Sequence, residues 1–379
     1  MHNPFQFIGK TDAEVCEKIQ NAYAQLFQGD SENERICFDH HALKYIVDIG
    51  HSDVRSEGMN YGMYISARLG EQETFHALWS FTKQYLRNRR GDYAPYFAWQ
   101  VGVPNKDHAN FYKMDRGAAP DGEEYIAAAL LIAAKKFGIP EYKREAVSLL
   151  KQMLYKKTSG KVRSMFDKDR AMVRFSPMEG NDYTDPSYHT LAFYRLFAEA
   201  TQDPIWERIY KNSVAYLKKA LHPETGLAAD YSEFDGTPKF TDFNPMSGYF
   251  SGDAWRVALN LALDYTWEIP GVCEEAREDA KKMEQDAIRR LLKFFDAHRP
   301  YFSDCLVDGS DYPENARPQT TGLIAMNAAA TSALDLQNPN DIALAKPFLL
   351  DLWNTPIPTG TWRYYDGLLY LLGYLALKG

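Results

Sequence analysis

Five acidic residues at the beginnings of predicted helices have the right chemistry to transfer protons. They are Glu57, Asp121, Asp185, Asp253 and Asp366. Glu57 stands out because residues 55–63 surround it with glycine, methionine and tyrosine. A carboxyl group among apolar and aromatic neighbours loses hydration, which raises its pKa and lets it donate a proton near neutral pH. Taken alone, however, Glu57 fits better as a first-turn glutamate that complements the helix dipole.

Aromatic residues accompany most of these acids and make the chemical interpretation stronger. Aromatic runs precede or follow the acids at residues 96–99, 188–189, 249–250 and 364–365. Flat rings in a cleft stack on the apolar faces of sugars, although they also pack large helical cores. Glycoside hydrolysis needs one protonated and one ionised carboxyl group across the scissile bond. The pattern therefore predicts a carbohydrate cleft with candidates for both groups.

Composition narrows the class of partner. The chain has 379 residues, 45% of them hydrophobic, which is enough to form a large core without stabilising disulfide bonds. Its 43 basic and 51 acidic residues give a net charge of −8, so nucleic acid and anionic membranes are not expected as partners. The four cysteines are scattered and form no C-x-x-C pair, so neither a disulfide framework nor a zinc site is predicted.

The ends of the chain and its hydropathy bear on location. The N-terminal residues lack a basic segment followed by an apolar run, and no segment approaches the ~18 to 20 apolar residues of a membrane span. These observations predict a soluble, cytoplasmic protein. The sequence carries no signal for the oligomeric state.

Helical periodicity recurs along the whole chain. Asp121 with Glu124 forms a capping-box pattern, and aspartate-proline pairs at Asp185 and Asp203 mark two further helix starts. Twelve helices are predicted, at residues 11–27, 57–69, 72–88, 121–138, 140–157, 185–201, 203–221, 251–268, 271–298, 320–336, 340–354 and 363–378. Residues 160–177 are the exception and predict a surface β-hairpin.

Alternate helices differ in character, which indicates how they pack. Some are apolar on all sides and rich in small residues, as in 125–134, 254–263, 322–330 and 367–377. Others, such as 142–154 and 274–284, carry a polar face. The alternation predicts an all-α fold, an (α/α)6 barrel of six inner and six outer helices that spans residues 1–379 as a single domain. A superhelical solenoid is the alternative, but no fixed-period repeat is present.

The lengths of the loops indicate which end of the barrel carries the functional site. Longer polar and aromatic loops lead into the inner helices, whereas the turns that follow them are short. Function is therefore expected at the N-terminal mouth of the inner helices, where loops rest on a rigid scaffold.

Six motifs in register along the chain resemble glycoside hydrolase family 8. They lie at residues 56–63, 119–125, 185–189, 222–227, 251–256 and 353–356. The resemblance runs from about residue 15 to residue 379 and is strongest to the reducing-end xylose-releasing exo-oligoxylanases of that family. It implies an (α/α)6 barrel, hydrolysis with inversion, and a single catalytic domain that needs no metal or organic cofactor.

Individual residue roles follow from the same resemblance. It implies that Glu57 is the general acid and Asp253 the general base, which inversion holds roughly 6.5 to 9.5 Å apart so that water fits between them. Asp121 matches an aspartate that holds the sugar on the non-reducing side of the scissile bond, Tyr188 a tyrosine that helps hold the attacking water, and Trp99 a stacking residue. Arg256, in the motif at 251–256, and Tyr365, in the aromatic run before Asp366, are further candidates for substrate binding.

One segment departs from the family pattern. In the exo-acting members a Leu-His-Pro loop before the fifth inner helix blocks the cleft beyond the reducing-end xylose, and its histidine contacts that sugar. This chain has Arg-Pro-Gln-Thr-Thr at residues 317–321, and counting back from Gly322 puts Gln319 in the histidine's place. Glutamine can still hydrogen-bond the anomeric hydroxyl. The sequence thus predicts an exo-acting hydrolase of xylo-oligosaccharides, with an endo-β-1,4-xylanase as the alternative and a noncatalytic sugar-binding barrel as a third reading.

Overall fold

Twelve α-helices dominate the computed structural model, which describes residues 3–378. The helices are α1 Asp12–Gln28, α2 Ser56–Leu69, α3 Gln72–Phe81, α4 Pro120–Phe137, α5 Pro140–Tyr155, α6 Leu191–Thr201, α7 Ile205–Ala220, α8 Trp255–Thr266, α9 Glu274–Ala297, α10 Thr321–Ala330, α11 Pro339–Asn354 and α12 Arg363–Lys378. Each predicted helix is found; the last, at 363–378, has the predicted ends, and each of the others is shifted at one end or both. Within the described residues, no helix is long and apolar enough to cross a membrane.

The even-numbered helices form a closed inner ring. Each of α2, α4, α6, α8 and α10 packs on the next even-numbered helix, and α12 packs back on α2. Each odd-numbered helix lies outside, against one or two inner helices, and α1 packs on α12. The predicted (α/α)6 barrel is therefore confirmed, and a solenoid is excluded because the ring closes.

Burial on all sides explains the composition of the inner helices. In α4 the residues from Pro120 to Leu131 are buried without a break. The last two inner helices approach so closely that a Cβ on Gly373 of α12 would stand 2.8 Å from the carbonyl oxygen of Ala325 in α10. Small residues at this crossing are therefore a packing requirement.

Among the described residues, seven short strands lie in the loops: β1 Cys37–His40, β2 Leu43–Ile46, β3 Asp53–Arg55, β4 Gln100–Gly102, β5 Tyr112–Asp115, β6 Phe166–Asp167 and β7 Met172–Val173. The sheet β3-β4-β5 is antiparallel, with Arg55 opposite Gln100. Because β3 runs directly into α2, and Ser56 N donates to Trp99 O at 2.9 Å, this sheet fixes where α2 begins and so where Glu57 lies.

Three local predictions differ from the structure. Helix α6 begins at Leu191, because Asp185 instead caps a separate 3-10 turn, Pro186–Tyr188. Helix α8 begins at Trp255, so Asp253 lies in the preceding turn rather than in the helix. The hairpin of β6 and β7 forms, but the prediction that it lies on the surface is wrong: its paired residues are buried, and Phe166 packs edge-on against Trp206 with ring centroids 5.3 Å apart.

A buried ionic cluster joins four helices behind the mouth. Asp264 of α8 is fully buried and accepts from Arg195 Nε at 2.7 Å and from Arg277 Nη1 at 3.1 Å. The hydroxyl of Tyr210 donates to the same carboxylate at 2.8 Å. Since the two arginines lie on α6 and α9 and Tyr210 on α7, the cluster locks inner helices to outer ones.

We expect Asp264→Asn to lower the free energy of unfolding by about 3–5 kcal/mol, because it removes the carboxylate that pairs with both buried guanidinium groups. Of the two arginines, only Arg277 pairs with a second acid among the described residues, Glu284 at 3.5 Å. Urea denaturation followed by circular dichroism measures this loss. The control is Asp279→Asn, which removes an exposed pair with Lys218 and should cost less than about 1 kcal/mol. Equal losses in the two variants would contradict a structural role for the buried cluster.

Candidate active site

The starts of three inner helices bring the predicted acids together at one end of the barrel. Glu57 is the second residue of α2 and Asp121 the second residue of α4. Arg256 is the second residue of α8, and Asp253 lies two residues before that helix. Side chains almost 200 residues apart in sequence therefore converge at the mouth.

Arg256 lies at the centre of this group and contacts all three acids. Its Nη1 donates to Asp121 Oδ2 at 2.9 Å and to Tyr61 OH at 2.8 Å, and lies 3.4 Å from Glu57 Oε2. Its Nη2 donates to Asp253 Oδ1 at 2.6 Å. The arginine side chain is only 4% exposed, so these contacts form away from bulk water, where charge pairing is strong. Glu57 and Asp253 thus lie on different nitrogens of one guanidinium group.

Glu57 has the protonation behaviour expected of an acid catalyst. Burial, together with the charges of Asp121 and Asp253, raises the pKa of its carboxyl group to about 7 against the opposing charge of Arg256. The Tyr364 hydroxyl donates to Glu57 Oε1 at 3.2 Å. Because the side chain keeps 21% exposure, the group can carry a proton near neutral pH and still reach a ligand in the cleft.

Asp253 lies in a turn whose backbone N–H groups donate hydrogen bonds to a second aspartate, Asp230. The side chain of Asp253 is 30% exposed. Asp230, which is buried, accepts at Oδ1 from the backbone N–H groups of Ser251 at 3.2 Å and Ala254 at 2.8 Å. Burial, followed by the charge of Asp253, raises the pKa of Asp230 well above its usual range. The sequence analysis missed Asp230, which lies in a loop with no motif or periodicity.

The surroundings of Asp121 also shift the pKa of its carboxyl group. Burial raises its pKa, while the Arg256 charge lowers it. The site thus combines a carboxyl group that is protonated up to about neutral pH, Glu57, with a more exposed one across a guanidinium group, Asp253. This arrangement can supply the two proton transfers of glycoside hydrolysis.

Three of the predicted binding residues surround this group. The ring of Tyr188 lies 6.0 Å from the Arg256 guanidinium carbon. The Tyr365 hydroxyl donates to Gly252 O at 2.8 Å, next to Asp253. Trp99 lies beside the start of α2, with its ring 5.9 Å from the guanidinium carbon of Arg55.

Gln319 lies elsewhere than the sequence analysis placed it. Its side chain interacts with the hydroxyl of Tyr301, a buried residue, and it is not among the residues that line the cleft. Arg317 lines the cleft instead. Its Nε donates to Asp304 Oδ2 at 2.9 Å and its Nη2 to Ser251 Oγ at 2.9 Å, so it is tied to the turn that carries Asp253.

The cleft itself has a volume of about 630 Å³. Glu57 and Asp253 lie in its lining together with Tyr364 and Tyr365. Tyr364 was not singled out from the sequence, although it adjoins Tyr365 in a run of aromatic residues before Asp366. Within the described residues 3–378, no three His, Cys, Asp or Glu side chains are grouped so as to hold a metal ion.

An (α/α)6 barrel with opposed carboxyl groups at its mouth defines the class as a glycoside hydrolase. The sequence pattern described as Glycosyl hydrolases family 8 matches residues 48–307. The chain therefore belongs to glycoside hydrolase family 8, an inverting family.

Several members of that family resemble the chain over its full length. The reducing-end xylose-releasing exo-oligoxylanase Rex8A of Paenibacillus barcinonensis is 34% identical, over 100% of this chain and 95% of that protein. The reducing end xylose-releasing exo-oligoxylanase of Halalkalibacterium halodurans is also 34% identical, over 100% and 92%. A crystal structure of a family 8 xylobiose complex from Teredinibacter turnerae superposes with a TM-score of 0.87 at 33% identity, covering 99% and 96% of the two chains.

The raised pKa of Glu57 predicts how stability changes with pH. A folded-state pKa of about 7, above the unfolded value, stabilises the fold at low pH and loses that contribution as pH rises towards 7. Glu57→Gln cannot titrate, so the unfolding free energy of the wild type relative to this variant should fall by roughly 2–3 kcal/mol between about pH 4.5 and pH 7.5. Urea denaturation across that range measures the difference, and a difference that does not change with pH would contradict the raised pKa.

Proposed function

We propose that this hydrolase releases xylose from the reducing end of β-1,4-xylo-oligosaccharides with inversion of configuration. The full-length similarity to exo-oligoxylanases carries this proposal, since three of them align over 99–100% of the chain at 31–34% identity. Endoglucanases of the same family align over less of it, for example 57% of the chain at 31% identity for endoglucanase 2 of Ruminiclostridium josui. The residues 1–379 then act as one catalytic domain.

In the proposed mechanism Glu57 and Asp253 carry the two proton transfers. Glu57 gives its proton to the glycosidic oxygen as the bond from that oxygen to the anomeric carbon breaks. Asp253 takes a proton from a water molecule whose oxygen attacks the same carbon from the opposite face. Glu57 then regains a proton from solvent and Asp253 releases its proton to solvent, which restores the starting state. The pKa of about 7 supports Glu57 as the donor, and the greater exposure of Asp253 supports its access to water.

The surrounding residues position the sugar chain in this proposal. Asp121 and Tyr188 hold the sugar that is attacked and the water that attacks it, and Trp99 stacks against the chain on the same side. Arg256 fixes the acids relative to one another through its buried hydrogen bonds. Tyr365 orients the Gly252 carbonyl next to the base. Sugar on the leaving-group side then occupies the cleft beyond Glu57 and Asp253.

The segment 317–321 decides whether the cleavage is exo or endo. We propose that it limits the cleft beyond the leaving xylose, with Arg317, rather than Gln319, on the cleft side. The anchoring of Arg317 by Asp304 supports a fixed wall. An endo-β-1,4-xylanase is the second candidate, and the departure of this segment from the Leu-His-Pro pattern favours it.

We expect Glu57→Gln and Asp253→Asn each to reduce turnover of xylotriose by about 10²–10⁴-fold, because each removes one proton transfer. The control is Glu73→Gln, an exposed glutamate in the first turn of α3 outside the site, which should retain wild-type activity. Circular dichroism verifies the fold of all three variants. Turnover within a factor of two of the wild type in either active-site variant would refute the assignment.

Exo action predicts a requirement for a free reducing end. Borohydride reduction of xylotriose to its alditol opens the ring of the last unit, so cleavage should fall at least about tenfold if a fixed wall selects the cyclic reducing-end sugar. Product analysis by chromatography should also show xylose from the first minutes. Rapid loss of viscosity in polymeric xylan, or equal cleavage of the alditol, would replace the exo proposal with the endo-xylanase.

A further inference from the structure

Trp362 is an exposed aromatic residue inside the cleft. Seven large apolar side chains are exposed within residues 3–378, and Trp362, at 67%, is the most exposed of them. It is also the one member of that set that lines the same cleft as Glu57 and Asp253. Isolated exposed apolar residues need no explanation, but an indole that is two-thirds exposed in an active-site cleft indicates a binding surface.

The six-membered ring of the indole packs closely against Gly50. A Cβ on Gly50 would come within 2.7 Å of Cζ3 and 3.0 Å of Cε3 of the Trp362 ring. The His51 ring meets the indole edge-on, with centroids 6.1 Å apart and planes at 64°. Gly50 and His51 therefore hold the indole in place, and its 67% exposure leaves surface available to a ligand.

His51 supplies a polar group beside this aromatic surface. Its Nδ1 pairs with Asp48 Oδ2 at 2.8 Å, and its side chain is 53% exposed and lines the cleft. Asp48 is buried, pairs with Arg55 Nη2 at 3.0 Å, and accepts from the Gly50 N–H at 3.1 Å. This carboxylate thus holds both the histidine and the glycine that supports the indole. The second imidazole nitrogen, Nε2, has no hydrogen-bond partner within residues 3–378.

The position of these residues indicates which part of a substrate they would contact. Trp99, Asp121 and Tyr188, which the proposed function assigns to the attacked sugar, are not part of the lining that contains Trp362. Glu57 and Asp253 do belong to that lining. Trp362 and His51 therefore lie on the leaving-group side of the reacting carboxyl groups.

We propose that Trp362 and His51 form a sugar-binding subsite for the leaving xylose, an inference that rests on the proposed function. The pyranose ring stacks on the exposed surface of the indole, and His51 Nε2 forms a hydrogen bond with one of the sugar's hydroxyl groups. A pentopyranose suits a flat platform because it has no hydroxymethyl group to lift the ring from the indole. Gly50 is required because any side chain there would displace the indole.

The test compares two substrates that differ in the leaving group. Xylotriose leaves a sugar on this side, whereas β-xylobiosyl fluoride leaves only fluoride. For Trp362→Ala we expect kcat/KM on xylotriose to fall about tenfold more than kcat/KM on the fluoride, with most of the difference in KM. Trp362→Phe should recover part of the loss, and Gly50→Ala should reproduce part of it by displacing the indole. The control is Leu350→Ala, which truncates an exposed side chain on outer helix α11.

Direct binding separates this proposal from the proposed function. Saturation-transfer NMR with free xylose should show binding to the wild type and about tenfold weaker binding to Trp362→Ala. Parallel losses on both substrates would mean that Trp362 acts through the acid or the fold, and a Trp362→Ala variant that matches Leu350→Ala would mean no subsite. Either result overturns the proposal. If the wild type fails to cleave xylotriose the proposed function is wrong, and the xylose titration still decides whether Trp362 binds a pentose.

Discussion

A single buried guanidinium group makes the active-site geometry possible. Asp121, Glu57 and Asp253 point into one small, largely buried volume, where three carboxylates without a cation would repel one another and take up protons. Arg256 prevents this by binding Asp121 and Asp253 directly and approaching Glu57. Its own charge is tolerated at 4% exposure only because those carboxyl groups surround it. The arginine and the acids therefore depend on one another for their positions.

The barrel is what brings these partners within reach. Arg256 is 199 residues from Glu57 and 135 from Asp121 along the chain. In a closed ring of inner helices that all run in the same direction, every helix start lies at the same mouth, so second-residue side chains on α2, α4 and α8 converge. The ring closes tightly because small residues such as Gly373 let neighbouring inner helices approach. Packing between the inner helices thus determines which side chains meet at the mouth of the barrel.

The sequence predicted those parts of the molecule that depend on local pattern. Helices that are apolar on all sides show their burial in the composition, so the inner and outer sets were recognised correctly. Asp253 was identified from its motif, but its place in a turn before α8 depends on Asp230, which no local signal connects to it. Gln319 was placed by counting from Gly322, whereas the loop turns that side chain towards Tyr301 and Arg317 towards the cleft. Loop direction is set by tertiary contacts, which spacing alone does not record.

Glu57 and Asp253 lie at different distances from the Arg256 guanidinium group, which helps to explain how two similar carboxyl groups can take opposite roles. Arg256 approaches Asp253 to 2.6 Å and Asp121 to 2.9 Å, but Glu57 only to 3.4 Å. At Glu57 the compensation is therefore weakest, and burial together with the two neighbouring charges raises its pKa to about 7. Environments that separate the proton affinities of paired carboxyl groups are what an acid and a base need in one site. Under the proposed mechanism, burial of Glu57 and its greater distance from the guanidinium group thus keep the proton on Glu57.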